Sequence, residues 1–71
     1  MAVIVEADIT GTVWKIQVEK GDAVTEGQTL AILESMKMEV PVEAPEAGKV
    51  SEIHVVEGQS IEEGDALLTL E

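Results

Sequence analysis

The chain has 71 residues, 45% of them hydrophobic, yet it contains one Trp and neither Phe nor Tyr. A chain of this length can bury one small core, which excludes a second domain. The core must consist of Val, Ile, Leu and Ala, and this composition favours strands. The lack of cysteine excludes disulfides and thiolate metal sites, and fifteen acidic residues against four lysines give a net charge of −11 that disfavours nucleic acid and anionic lipid as partners.

The N-terminal stretch MAVIVEAD has neither the basic start nor the long apolar run of a signal peptide. No apolar run elsewhere is long enough to span a membrane. We therefore expect a cytoplasmic protein with no membrane partner. Its charge is expected to keep the isolated chain monomeric and to favour partners with basic surfaces.

The predicted elements are short strands separated by turns. An apolar strand near residues 3–5 comes first, and an alternating segment follows Gly11. Turns are predicted at Gly21-Asp22 and at Gly27-Gln28, and a second apolar strand then runs to Glu34. After residue 38 the same order of elements returns.

The second half of the chain repeats the first. Aligning residues 1–34 with residues 38–71 gives 15 identical pairs without a gap. We interpret residues 1–71 as one domain built from these two pseudo-repeats. Three residues lie outside the repeat: Ser35, Met36 and Lys37.

In both repeats the polar and apolar alternation slips by one position. Two residues separate Val13 from Ile16, and two separate Val50 from Ile53. This pattern predicts a β-bulge in each half.

Short strands and the lack of any helical period predict an all-β fold. Neither of the two equivalent halves can bury its apolar face alone, so we expect them to close face to face. We expect a flattened barrel or sandwich of two antiparallel sheets related by a quasi-twofold axis. The axis would relate the connection at residues 34–38 to the gap between residue 71 and residue 1. The termini should then meet at the end of the molecule opposite Lys37.

The connection between the halves is predicted to be a two-residue hairpin loop. If Ser35 and Met38 flank it, Met36 and Lys37 occupy the central positions, where the favoured turn needs positive φ and usually takes Asn-Gly. Met-Lys suits that geometry poorly, which suggests that the side chains serve a purpose other than folding. The alternatives are an ordinary solvated lysine and methionines that fill the core.

The segment Glu34-Ser35-Met36-Lys37-Met38-Glu39 resembles the Met-Lys-Met attachment motif of biotin carrier domains. The Gly-Asp and Glu-Gly turns, the Ala-Pro-x-x-Gly segment at 44–48 and the duplication resemble the biotinyl/lipoyl attachment family over the whole chain. Two features differ from larger carriers: Ser35 stands where Ala is common, and no thumb is inserted. The resemblance implies a barrel-sandwich hybrid that presents the modified lysine on a hairpin turn.

The resemblance also implies a function. A biotin protein ligase would join biotin through an amide to Lys37, with Met36 and Met38 recognised by the ligase. The residues that flank the turn would be Ser35, Glu34 and Glu39. The protein would then be a non-catalytic carrier that takes carboxylate from a biotin carboxylase site to a carboxyltransferase site.

Two other functions remain open at this stage. A lipoyl carrier would use the same lysine, although lipoyl domains usually show Asp-Lys-Ala at this turn, and an unmodified interaction module would need no lysine there.

His54 has neither a cysteine nor a second histidine beside it, so no metal site is predicted. The dispersed carboxylates predict no catalytic residues. Trp14 is expected to cover an open edge of the core, with a partner contact as the alternative.

Overall fold

The computed structural model describes residues 2–71; Met1, which the repeat aligns with Met38, lies outside them. The described chain forms strands connected by turns: β1 (Val3–Glu6), β2 (Gly11–Ile16), β3 (Ala23–Val24), β4 (Thr29–Ser35), β5 (Met38–Glu43), β6 (Gly48–Ile53), β7 (Ser60–Ile61) and β8 (Ala66–Leu70). They form two four-stranded antiparallel sheets. The predicted all-β fold is confirmed. Residues 2–71 contain no helix with the length and apolar character needed to cross a bilayer.

The two halves of the chain exchange strands instead of each forming one sheet. One sheet has the order β1-β8-β6-β3 and the other has the order β5-β4-β2-β7. Each sheet therefore takes two strands from each half, whereas we had expected two separate halves to close face to face. The exchange pairs strand edges that a half would otherwise leave open, which explains why neither half is complete without the other.

The core lies between the two sheets and is aliphatic. It is formed by buried side chains from both halves: Val5, Ala7, Val13, Val18, Val24, Leu30, Leu33, Val42, Ala44, Val50, Val55, Ile61, Leu67, Leu68 and Leu70. No buried polar or charged residue occurs in the described chain. Burial of aliphatic surface is therefore the main stabilising contribution to this small domain.

The predicted bulges are confirmed, and each adds one residue to a strand. In β2 the extra residue is Trp14, which lies between positions paired with Leu33 and Ile32 of β4. In β6 the extra residue is Ser51. A second pair of bulges, at Leu30 and Leu67, was not predicted.

Four tight turns share one construction, and it repeats across the two halves. Each has a glycine with positive φ at its third position, where a type II turn requires it: Gly21, Gly27, Gly58 and Gly64. The backbone N–H of the fourth residue donates to the carbonyl of the first. The fourth side chain, an Asp or a Gln, accepts a hydrogen bond from the first N–H. These turns follow directly from the predicted Gly-Asp and Gly-Gln positions.

The first and last strands meet in one sheet. Val3 of β1 pairs with Leu70 of β8. The corresponding pair in the other sheet, 37 positions along, is Val40 with Leu33, which lies beside the Lys37 turn. The predicted meeting of the chain ends is thus confirmed for the described residues.

Candidate functional site at the β4–β5 turn

The connection from β4 to β5 is the predicted two-residue hairpin turn. Ser35 ends β4 and pairs with Met38, the first residue of β5. Met36 has a φ of 53° and Lys37 a φ of 65°. Among residues 2–71 these are the non-glycine residues with positive φ. The turn therefore has the left-handed conformation at both central positions that the sequence was expected to resist.

The methionines of the turn lie outside the core. The Met36 side chain is 89% exposed and that of Met38 is 59% exposed, and Lys37 between them is also exposed. The possibility that the methionines fill the core is excluded. Flexible, exposed thioether side chains therefore precede and follow the lysine in the chain.

The charges beside the turn are acidic. Glu34 and Glu39 lie directly opposite each other on adjacent strands, and both are exposed. Like charges in this position destabilise a strand pair slightly. Within residues 2–71, no carboxylate lies within 4 Å of the Lys37 ammonium. The amine is held in an acidic field without a direct ion pair.

Ser35 attaches the hairpin to the body of the domain. Its Oγ donates a hydrogen bond of 3.0 Å to the backbone carbonyl of Thr10, in the loop between β1 and β2. Thr10 Oγ1 in turn accepts a longer one, 3.4 Å, from the backbone N–H of Glu63. Sequence analysis placed Ser35 only as a flanking residue. Thr10 lies 25 positions away in the chain, and no local pattern indicates their contact.

The other residues that were considered, His54 and Trp14, are not part of the turn. His54 contacts Thr69 through Nε2 at 2.8 Å, and its Nδ1 lies 3.8 Å from Glu52. In the described residues, no three His, Cys, Asp or Glu side chains are grouped closely enough to hold a metal ion. Trp14 is 42% exposed on the outer face of its sheet, so the expectation that it covers an open edge of the core is wrong. Trp14 follows the buried Val13, and strand alternation directs it to the outer face.

Neither of two shallow depressions in the surface of residues 2–71 includes a residue of the turn. One, of about 320 Å³, has Lys20 and Lys49 in its lining, and the other, of about 260 Å³, lies between Ile4 and Pro45. The turn is exposed, which suits it to presenting a group to other proteins.

The family comparison agrees with this geometry. The family model described as "Biotin-requiring enzyme" matches residues 1–70. The chain belongs to this biotin/lipoyl attachment family. The resemblance stated for the attachment motif and the repeat is therefore confirmed at the level of the family.

Members of the biotin/lipoyl attachment family occur both as small proteins and within large enzymes. This member is 51% identical over 37 residues to a biotin/lipoyl attachment protein of Bacillus subtilis, a match that covers 52% of the chain and 51% of that relative. It is 54% identical over 35 residues to a methylmalonyl-CoA carboxyltransferase 1.3S subunit of Propionibacterium freudenreichii, covering 49% of the chain and 28% of the subunit. The matched segment thus spans about half the length of the Bacillus subtilis relative, and a smaller share of the 1.3S subunit.

A solved structure shows the same fold over the whole chain. The urea carboxylase of Kluyveromyces lactis superposes with a TM-score of 0.94 at 34% sequence identity, covering 100% of this chain and 6% of that enzyme. The fold of this family member therefore also occurs as one small part of a large carboxylase.

Proposed function

We propose that this chain is a biotin carrier that holds biotin on Nζ of Lys37. The observation that carries the proposal is the turn itself: an exposed Met-Lys pair occupies two left-handed positions where folding alone favours Asn-Gly. Membership of the family and the names of the relatives support biotin as the attached group.

The residues around Lys37 have separate roles in this proposal. Met36 and Met38 provide the apolar contact for a biotin protein ligase, because their thioether side chains adapt to another surface. Ser35 fixes the turn to the domain through the Thr10 carbonyl. Glu34 and Glu39 flank the turn and keep its surroundings acidic.

The amine of Lys37 fits amide attachment. Lys37 is exposed on the turn, and no carboxylate lies within 4 Å of its amine in the described chain. A lysine ammonium is not a nucleophile, so the ligase must first remove a proton. Nζ then bonds to the biotin carboxyl carbon, losing a second proton as the activating group leaves. The chain provides no base beside the amine, and the ligase has to supply one.

The chain acts as a non-catalytic component. When bound, biotin carries a carboxyl group on a ring nitrogen. The turn brings the biotin first to a biotin carboxylase subunit and then to a carboxyltransferase subunit. Holding the cofactor on a protein that docks at both sites raises its effective concentration there. The 1.3S subunit and the urea carboxylase among the similar proteins support such partners.

The charge of the chain suits repeated, short-lived contacts. A net charge of −11 steers association toward basic surfaces and keeps separate copies of the chain apart. We therefore propose that the isolated protein is a monomer. We place its exchange between partners in the cytoplasm, a compartment consistent with its cysteine-free composition.

The test is the mass of the protein isolated from its native host, followed by digestion and mapping of the modified residue. We expect the mass of one biotinyl group, located on Lys37. The other three lysines, Lys15, Lys20 and Lys49, are internal controls. Biotin on one of them, or an unmodified chain in a host that biotinylates other proteins, would contradict the proposal. A lipoyl group on Lys37 would support Lys37 as the attachment site and show that biotin is the wrong cofactor.

A further inference from the structure

An apolar row crosses the outer face of the sheet that carries the Lys37 turn. Ile32 of β4 lies opposite Pro41 of β5 on one side and opposite Lys15 of β2 on the other, where the bulge adds Trp14. Ile32 lies between two buried neighbours, so its side chain points outward. Pro41 is exposed and Trp14 is 42% exposed. We call Trp14, Ile32 and Pro41 the apolar row.

The repeat provides an internal control for this row. The equivalent positions on the other sheet are Ser51, Thr69 and Ile4, joined by the same strand pairing. There the polar groups bond to one another and to a neighbour. Ser51 Oγ donates to the Thr69 carbonyl at 3.2 Å, and His54 Nε2 contacts Thr69 Oγ1 at 2.8 Å. The two sheets have the same backbone arrangement, but among these equivalent positions the other sheet has the polar Ser51 and Thr69 where the sheet with the lysine has Trp14 and Ile32.

The apolar row has one cation beside it. The Lys15 ammonium lies 5.7 Å from the centroid of the Trp14 ring. This cation–π contact covers part of one ring face and leaves much of the side chain accessible. The outer surface therefore combines an aromatic ring, two aliphatic side chains and a hydrogen-bond donor. That combination suits a small uncharged ring with a polar carbonyl.

The apolar row lies within reach of a group attached to Lys37. Pro41 is three residues beyond Met38 on β5, about 10 Å at ~3.4 Å per residue. The lysine side chain and the acyl chain of biotin have a contour length of about 15 Å, from roughly ten bonds of ~1.5 Å. The equivalent polar row is on the other sheet, which does not contain the hairpin.

We propose that the apolar row is a resting surface for the biotinyl group held on Lys37. The inference rests on the proposed attachment. The bicyclic ring of biotin is uncharged, so the acidic domain does not repel it, and its thioether sulfur suits an aromatic neighbour. Its ureido carbonyl can accept a hydrogen bond from Lys15. Resting there removes apolar surface of both the ring and the row from water.

Rest and release are both required of a carrier. A ring that is bound to its own domain for part of the time is less available to a second protein by that fraction. The contact must therefore be weak, and the small exposed area of three side chains is consistent with a weak contact. Biotin would bind to the apolar row while no partner is bound, and this weak contact would not prevent biotin from reaching a carboxylase.

The test uses Trp14, the one tryptophan of the chain, as a reporter. Unmodified and biotinylated protein are compared after intact mass has verified complete loading at Lys37. On biotinylation we expect the Trp14 emission to shift to shorter wavelength and its quenching by acrylamide to fall. Nuclear Overhauser contacts should join the indole protons to the biotin ring. The double variant Trp14→Ser/Ser51→Trp, which moves the reporter to the polar row, should show no response.

The outcomes separate this inference from the proposed function. If Lys37 cannot be loaded by a biotin protein ligase, the proposed function fails. If loading is complete and Trp14 gives the same emission and quenching in both forms, the proposed resting surface is wrong, while the proposed carrier function is unaffected. A response of Trp14 only after a carboxylase subunit is added would also contradict the resting surface, because it would show that the apolar row contacts a partner. Ile32→Thr, which copies Thr69, should weaken the response without preventing loading.

Discussion

The four glycine turns and the β4–β5 turn all require positive φ and meet this requirement with different residues. In the body of the domain, positive φ falls on Gly21, Gly27, Gly58 and Gly64. At the β4–β5 turn it falls on Met36 and Lys37. A left-handed residue with a side chain costs about 1–2 kcal/mol relative to its usual conformation, and glycine avoids this cost.

The difference indicates where side chains matter. The glycine turns connect strands, and a Cβ built at any of these glycines would meet nothing within 4 Å beyond its chain neighbours, so a side chain there would make no packing contact through its Cβ. At the β4–β5 turn the chain keeps two long exposed side chains in a strained conformation. Strain of this kind persists when the surrounding structure holds it, here the hairpin pairing and the Ser35 contact.

The largest expected effect is on attachment. Lys37→Arg should abolish biotin labelling, because a guanidinium cannot form the amide, and should change the free energy of unfolding by less than about 0.5 kcal/mol. Labelling by a biotin protein ligase and thermal unfolding measure the two effects. Lys20→Arg is the matched control and should label normally. A large loss of stability in Lys37→Arg would show that the lysine supports the fold.

The next effect tests the packing beneath the hairpin. A Cβ at Gly11 would clash with the carbonyl oxygen of Glu34, one residue before the end of β4. Gly11→Ala should therefore destabilise the domain by about 1–3 kcal/mol. At the equivalent Gly48 the nearest atom, the Glu71 carbonyl oxygen, is 3.1 Å away, so Gly48→Ala should cost less. Denaturant unfolding of both variants checks the order; equal losses would contradict the difference.

Alanine at a glycine turn should show the cost of positive φ alone. Gly27→Ala and Gly64→Ala place a side chain at φ values of 84° and 93° with open space around the Cβ. Each should lose about 1–2 kcal/mol, and the two losses should be similar because the turns are equivalent. Met36→Ala is the control, since that position is already strained and should change little. Chemical denaturation measures all three, and an unchanged Gly27→Ala would remove the premise of the comparison.

Relieving the strain at the β4–β5 turn should act in the opposite direction. Replacing Met36-Lys37 with Asn-Gly suits the left-handed conformation and should stabilise the hairpin by about 1 kcal/mol. The same variant should lose all biotin labelling. Thermal unfolding is the measurement. A loss of stability would mean that the methionine and lysine side chains contribute contacts that offset the strain.

The smallest effect concerns the link between the hairpin and the loop at Thr10. Ser35→Ala removes a hydrogen bond of 3.0 Å that is partly accessible to water, and should cost about 0.5–1 kcal/mol. Ser35→Thr keeps a hydroxyl and should retain more of this stability than alanine. Unfolding of both variants by denaturant measures the difference. Identical stability of wild type and Ser35→Ala would show that the contact does not support the turn.

Much of the fold could be predicted because its signals are local. The alternation slips between Val13 and Ile16 and again between Val50 and Ile53, and this predicted a bulge in each segment; the structure gives the extra residues as Trp14 and Ser51. The bulges at Leu30 and Leu67 were missed because they lie in continuously apolar segments, where no alternation exists to slip. The contact of Ser35 with Thr10 was missed because it joins residues far apart in the chain.

The sequence by itself determined the strands, the glycine turns and the position of the two-residue β4–β5 turn, because alternation and chain reversal depend on residues a few positions apart. The left-handed conformation of Met36 and Lys37 runs against the preference of both residues and is held by the hairpin pairing and the Ser35 contact. Only the tertiary structure decided that the halves exchange strands, because the pairing of edges depends on what the other half offers. The same pairing decided which side chains stand together. Trp14, Ile32 and Pro41 come from three strands, and their alignment into one row beside Lys37 follows from strand register.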